Sequence, residues 1–205
     1  MVKNFAPANN EEAYISFINK IGKPIQEKRN FNSKEVFDVK VSKKNSFFNS
    51  YANSNLDFSC HTDCSDFIEI PNCISLFCLK PAQKGGETIF CNLQTIIEAL
   101  PDNLLQFLLN HTFQFRHIKK TILQKTTYGY KISYNRFVIE SYSEKLTEIE
   151  HQNLNEFDAI LKTKATILKL EKNDVFLCRN DVFLHGRLFF DKNSTRLLKR
   201  IRFEI

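Results

Sequence analysis

The chain is built at both ends from short apolar bursts, each closed off by proline, a glycine pair or an Asn/Asp turn, and this punctuation narrows the fold more than any other feature. Leu56 to His61, Phe67 to Ile70, Ile74 to Leu79 and Thr88 to Cys91 alternate or run apolar, with Pro71, Pro81 and Gly85-Gly86 between them. Ala165 to Leu170, Val175 to Arg179, Val182 to Phe189 and Arg196 to Ile205 repeat the pattern, and residues 36 to 41 add one more alternating run. Runs this short are strand-sized, and an apolar stripe on each must be covered by another layer. The expected architecture is therefore mainly β, a sandwich or jelly roll with a few peripheral helices.

The helices fall chiefly between these blocks. Tyr14, Phe17, Ile18 and Ile21 recur at helical spacing, with Asn10 before them and Gly22 and Pro24 after. Two short helices are expected over Leu93 to Leu100 and Leu104 to Leu109, split by Pro101-Asp102, and a longer one over Glu144 to Lys162. Residues 112 to 142, where Phe, Tyr and Ile interleave with polar residues, read as extended hairpins, and Asn45 to Asn55 reads as a loop. At 205 residues, without repeats or low-complexity stretches, one domain spanning 1–205 is the expectation.

Composition limits the partners. The formal charge of +6 is scattered except for a cluster from Lys192 to Arg202, and no basic stripe interleaved with aromatics is present, so nucleic acid is not an expected partner. No apolar run reaches the eighteen or so residues of a membrane span, and the N-terminus lacks a secretion signal. A cytoplasmic location follows as an expectation, with the six cysteines reduced and mostly buried.

Chemistry concentrates in two places. On an extended strand His61 and Asp63 project from one face and can address one point, as an iron site with two histidines and one carboxylate requires. A hydrogen-bonded pair at a strand end would look the same. His185, in Phe183-Leu184-His185-Gly186-Arg187, is the candidate third ligand, although a lone strand histidine is more often structural. Arg196, Arg200 and Arg202 share one face of the last run, opposite Leu197, Ile201, Phe203 and Ile205. That face could simply meet solvent, or its planar guanidinium forks could grip carboxylates.

These blocks resemble the taurine dioxygenase (TauD/TfdA-like) branch of the iron(II)/2-oxoglutarate oxygenases, whose fold is the clavaminate synthase-like double-stranded β-helix. The resemblance rests on His61-Thr62-Asp63, on Leu79-Lys80-Pro81-Ala82 through Gly85-Gly86-Glu87-Thr88-Ile89-Phe90, and on Leu184-His185-Gly186-Arg187 followed eleven residues after the histidine by Arg196. It implies that His61, Asp63 and His185 bind iron(II). It also implies that Thr88 and Arg196 bind 2-oxoglutarate, that oxygen is the second co-substrate, and that Arg200 contacts an anionic group of a small, amino-acid-like or carrier-linked substrate. Succinate and carbon dioxide would accompany oxidation of a C–H bond, and the carboxylate at Asp63 implies hydroxylation or another oxidation rather than halogenation. The stretches before His61 and between Thr88 and His185 are shorter than in typical members. Asn173-Asp174 stands where the family commonly has a Gly-Asp turn, a change that asparagine tolerates. Phe47 to Asn55 and Tyr128 to Tyr134 are candidate pocket walls. The alternatives are a cupin-like hydrolase or isomerase using the same ligands with zinc or manganese, and a non-catalytic ligand-binding relic.

Overall fold

A computed structural model describes residues 1–5, 10–26, 35–41 and 51–205 of the chain. Helix α1 (Glu11–Ile21) starts where the Asn10 side chain accepts a hydrogen bond from the Ala13 amide. The chain then pairs β1 (Lys23–Pro24) and β2 (Val36–Val39) along one edge of β13 (Leu197–Glu204), whose other edge carries β4 (Cys73–Lys80) and, beyond it, β11 (Val175–Arg179). The second sheet has the order β10 (Thr166–Leu168), β5 (Thr88–Asn92), β12 (Phe183–Arg187), β3 (Phe58–His61). Every pairing is antiparallel, and the two sheets form the jelly roll that the punctuation of the sequence predicted.

Strand alternation decides what each face does. On β13, Ile201 and Phe203 pack with Phe77, Val175, Tyr14 and Ile18, so α1 covers the outer side of the five-stranded sheet. The other side presents Leu198 to a cluster with Val39, Leu76, Cys78 and Phe176 between the sheets. Arg200 and Arg202 share that inward parity and are 7% and 8% exposed, so the arginine face of the last strand is the inside of the sandwich rather than a solvated surface.

The middle of the chain covers the outer side of the four-stranded sheet. Helices α2 (Leu93–Ile97) and α3 (Asp102–Asn110), hairpins β6–β7 (Thr112–Phe115, Ile118–Thr121) and β8–β9 (Leu123–Thr126, Gly129–Ile132), and helices α4 (Arg136–Tyr142) and α5 (Glu148–Lys164) bury Leu104, Phe113, Phe157 and Leu161 with Leu184 of β12. Burying a side chain of this size stabilises by about 1.5 to 3 kcal/mol, which makes this layer a principal core.

Several expectations shift, each for a local reason. Residues 136–142 form α4 instead of extended hairpin, because Asn135 accepts from the Val138 amide and nucleates a turn. Helix α5 begins at Glu148 because Thr147 and Glu150 form a reciprocal capping box. Phe67 to Ile70 is a turn rather than a strand: Cys64 takes a left-handed φ of 56°, the Phe67 amide bonds back to Cys64 O at 2.9 Å, and Ile68 is 84% exposed. Of the predicted loop Asn45 to Asn55, Tyr51–Asn53 is a single 3-10 turn and residues 45–50 lie outside the described residues. Asn173 does adopt the left-handed conformation expected of it, with φ 70°.

Candidate metal and co-substrate site

His61 closes β3 and His185 lies opposite it on β12, the two rings 4.5 Å apart between centroids. A β-bulge separates this pair from the next, Arg187 with Phe58, so two steps along β12 face three along β3. The extra residue places Phe58 on the same face as His61, and the rings stack at 3.7 Å. The Ser59 carbonyl of the bulge lies 2.8 Å from His61 Nδ1, an interaction that directs Nε2 into the site. Gly186 makes room for the close strand: a Cβ there would lie 2.3 Å from Phe58 O.

Asp63 lies beyond the end of β3, so it reaches the site through a stapled loop rather than by strand alternation. Asn180 is fully buried; its Oδ1 accepts from the Asp63 amide at 2.9 Å, and its Nδ2 donates to Asp63 O and Pro71 O. Thr62 exchanges bonds with Tyr134, whose amide donates to Thr62 Oγ1 at 3.1 Å. The outcome is that one ligand atom from each of His61, Asp63 and His185 falls within 4.8 Å of the others, all three side chains buried.

The two Asp63 oxygens face different partners, with Arg200 between them. Oδ1 faces His61 Nε2 at 3.4 Å and His185 Nε2 at 3.7 Å, Oδ2 meets Arg202 Nε at 2.8 Å, and Arg200 Nη1 lies 3.2 Å from Oδ2 and 3.5 Å from Oδ1. Burial pushes the carboxyl up, but Arg200, Arg202 and the His61 hydrogen bond together hold it well below the usual carboxylate range. Burial, reinforced by His61, pushes His185 down to about 3 against the pull of Asp63, so its imidazole is neutral and its lone pair is available. Two imidazoles and one ionised carboxylate, preformed and convergent, fit a divalent iron.

A pocket opens on this cluster, lined by His61, His185, Thr88, Arg187, Arg196 and Arg200 with an apolar floor of Val39, Leu76 and Leu198. Thr88 is the cross-strand partner of Arg187 and is 2% exposed. Arg196 is 4% exposed, its Nη1 has no hydrogen-bond partner, and its guanidinium packs 5.3 Å from the Phe190 ring. Burial, with the nearby Arg187 charge, lowers its pKa to about 10, which leaves it cationic at neutral pH. A buried cation with an unspent donor fits the carboxylate of a bound co-substrate. The glycine pair supports it: Gly85 and Gly86 have φ of 69° and 72°, and a Cβ on Gly86 would lie 3.1 Å from Arg196 Cδ and Nε.

Of the candidate site residues, His61, His185, Thr88, Arg196 and Arg200 line this cavity, and Asp63 adjoins it through His61 and His185. Arg200 also stacks over Phe37, its cross-strand partner, at 4.8 Å. Of the two candidate walls, Ala52 contributes to the pocket, residues 47–50 lie outside the described residues, and the Tyr128 to Tyr134 segment is elsewhere, with Tyr128 99% exposed at a hairpin tip and Tyr134 buried against Phe157. Arg202, Asn180, Phe58 and Arg187 were not assigned roles from the sequence. Arg202 had a signal there, its even spacing from Arg200, and Arg187 stood in the Leu184-His185-Gly186-Arg187 block, whereas Asn180 and Phe58 depend on a loop closure and a bulge that no local pattern announces.

No curated protein sequence matches the chain. Solved structures do. Asparagine oxygenase (AsnO) superimposes with a TM-score of 0.80 at 17% identity, covering 94% of this chain and 63% of its own. PvcB from Pseudomonas aeruginosa gives 0.75 at 14% identity, over 99% and 74%. The non-heme iron oxygenase OrfP in complex with iron and alpha-ketoglutaric acid gives 0.74 at 14% identity, over 95% and 64%. This chain therefore spans a little under two thirds of the AsnO and OrfP chains, and at these identities the likeness speaks for the fold. The sequence profile of the taurine catabolism dioxygenase TauD, TfdA family matches residues 1–202, and the chain belongs to that family.

Proposed function

We propose that this protein is an iron(II)- and 2-oxoglutarate-dependent oxygenase that hydroxylates a C–H bond of a small, anionic, amino-acid-like substrate. One observation carries the reading: a convergent His-Asp-His cluster shares its pocket with a buried arginine that has an unpaired donor. His61 Nε2, Asp63 Oδ1 and His185 would hold the metal, leaving coordination positions for co-substrates. When bound, iron(II) with 2-oxoglutarate supplies the oxygen-activating chemistry that yields succinate, carbon dioxide and the oxidised product.

The protein's own part is placement. Arg196 and Thr88 would orient the distal carboxylate, fixing which end of the keto acid meets the metal. Val39, Leu76 and Leu198, which line the floor, would keep water from it. Arg200, which borders the same pocket, would receive the anionic group of the substrate while Arg202 keeps Asp63 Oδ2 engaged. Related structures support the substrate class, since AsnO was solved with 3-hydroxyasparagine and succinate, and OrfP with succinate and (3S)-hydroxy-L-Arg. The substrate would be free or carrier-linked, and a cytoplasmic setting agrees with six free thiols.

The test is anaerobic addition of iron(II) and 2-oxoglutarate to metal-free protein, monitored for the weak visible charge-transfer band of the chelate. Wild type should develop the band, His185→Ala should lose it, and Arg196→Ala should require far more 2-oxoglutarate. Metal binding with no band at saturating 2-oxoglutarate would reject the oxygenase reading in favour of a hydrolytic or purely binding role.

A further inference from the structure

Arg187 belongs to the same pocket yet neither ligates nor stands in line with the co-substrate arginine, and its hydrogen bonds go somewhere informative. It is 5% exposed and projects from β12 on the His185 face, next to Thr88 on β5 and Phe58 on β3. Its Nη2 donates to Leu56 O at 2.6 Å and lies 3.3 Å from Tyr51 O, and its Nη1 lies 3.3 Å from Ala52 O. These are backbone carbonyls of one short segment, residues 51–57. A second set of bonds fastens the same segment just beyond Arg187: Asn55 and Phe190 exchange bonds at 3.1 and 3.2 Å, and Asp57 accepts from the Phe189 amide.

This segment is the pocket's outer wall. Ala52 lines the cavity, and Tyr51 stacks on Phe58, which stacks on His61. The wall has little regular structure of its own beyond one 3-10 turn, so its position depends on side-chain bonds. Arg187 also keeps an unpaired Nε inside the cavity wall, and its guanidinium lies 5.0 Å from the Phe190 ring that Arg196 packs against.

We propose that Arg187 is a positioning residue: it latches residues 51–57 over the co-substrate end of the pocket and so sets 2-oxoglutarate affinity without touching the metal. The inference rests on the oxygenase reading for its ligand, but not for the latch itself. Three carbonyls held by one desolvated cation are a stronger tether than neutral bonds would give, because each bond is charge-assisted. The geometry also links the wall to the candidate co-substrate residues through a single side chain, since Thr88 is the cross-strand neighbour of Arg187.

The experiment compares wild type with Arg187→Met and Arg187→Lys, using amide hydrogen exchange on the full metal-free chain and anaerobic titrations with iron(II) alone and then 2-oxoglutarate. Loss of the latch should speed exchange across 51–57 by about ten-fold or more in the Met variant, the equivalent of losing a net charged hydrogen bond, with Ile74 to Leu79 unchanged. Iron(II) affinity should stay at the wild-type value while 2-oxoglutarate affinity falls about ten-fold, and the Lys variant should recover part of both effects. Wild-type exchange at 51–57 in the Met variant would overturn the latch. Faster exchange with undiminished 2-oxoglutarate affinity would overturn its link to the co-substrate. Wild-type protein that binds iron(II) but not 2-oxoglutarate would overturn the oxygenase reading and with it that link, leaving the exchange result to judge the latch separately.

Discussion

Gly86→Ala probes whether the glycine pair is a cradle for Arg196 or merely a turn. The added methyl meets two obstacles. The backbone φ of 72° is left-handed, where a non-glycine residue costs about 1 to 2 kcal/mol. The methyl would also press on Arg196 Cδ and Nε at 3.1 Å and on Ala82 Cβ at 3.2 Å, and a long arginine relieves such contacts by shifting a few tenths of an ångström. For a chain of this length, backbone strain of that size lowers Tm by roughly 2 to 8 °C. Displacing the guanidinium should forfeit part of a charge-assisted hydrogen bond, about 1 kcal/mol, or roughly five-fold in 2-oxoglutarate affinity. Gly129→Ala is the control: φ is 130°, nothing lies within 4 Å of its Cβ, and only stability should respond. Thermal denaturation and anaerobic 2-oxoglutarate titration read the two quantities. If Gly86→Ala loses stability but binds 2-oxoglutarate as tightly as Gly129→Ala does, Arg196 is not positioned by that contact and the cradle is wrong.

Other outcomes follow from the charges. Arg202→Met removes the 2.8 Å partner of buried Asp63 and should destabilise the metal-free protein by about 3 kcal/mol, read from urea midpoints. Iron(II) at one hundred times its dissociation constant should raise the stability of wild type by about 2.7 kcal/mol, and a chelator should reverse the gain; His185→Ala should show no such gain. Burial pushes Lys120 down to about 8, with Asp66 partly opposing, so above that pH the folded state has released a proton that the unfolded chain still binds. Stability relative to Lys120→Met should therefore rise from pH 8 towards 10; parallel urea midpoints for the two proteins would contradict this.

The sequence made the strands and the candidate His-Asp-His cluster legible because both follow local rules. Val175–Arg179 was bounded correctly by its apolar run and flanking turns, and the parity of Arg196, Arg200 and Arg202 placed them on one face. That parity could not say which face was inside. The answer came from α1, whose Tyr14 and Ile18 cover Ile201 and Phe203 and so turn the arginines towards Asp63. Asp63 illustrates the opposite limit: its side chain does converge with His61 and His185, but the expected strand geometry ends at His61, and its placement depends on Asn180, distant by 117 positions. Contacts between such distant residues leave no mark in a local window. Helix α4 was missed because its aromatic composition suits strands, and only the Asn135 cap tips it.

The bulge in β3 bears on any attempt to transplant this centre into another antiparallel sheet. In an uninterrupted ladder Phe58 and His61, three positions apart, would point to opposite sides. A graft of the three ligands alone would thus lose the ring that sandwiches the imidazole and the Ser59 carbonyl that fixes its orientation. The irregular backbone step has to travel with the ligands, and with it the glycine at 186 that lets the neighbouring strand come close enough.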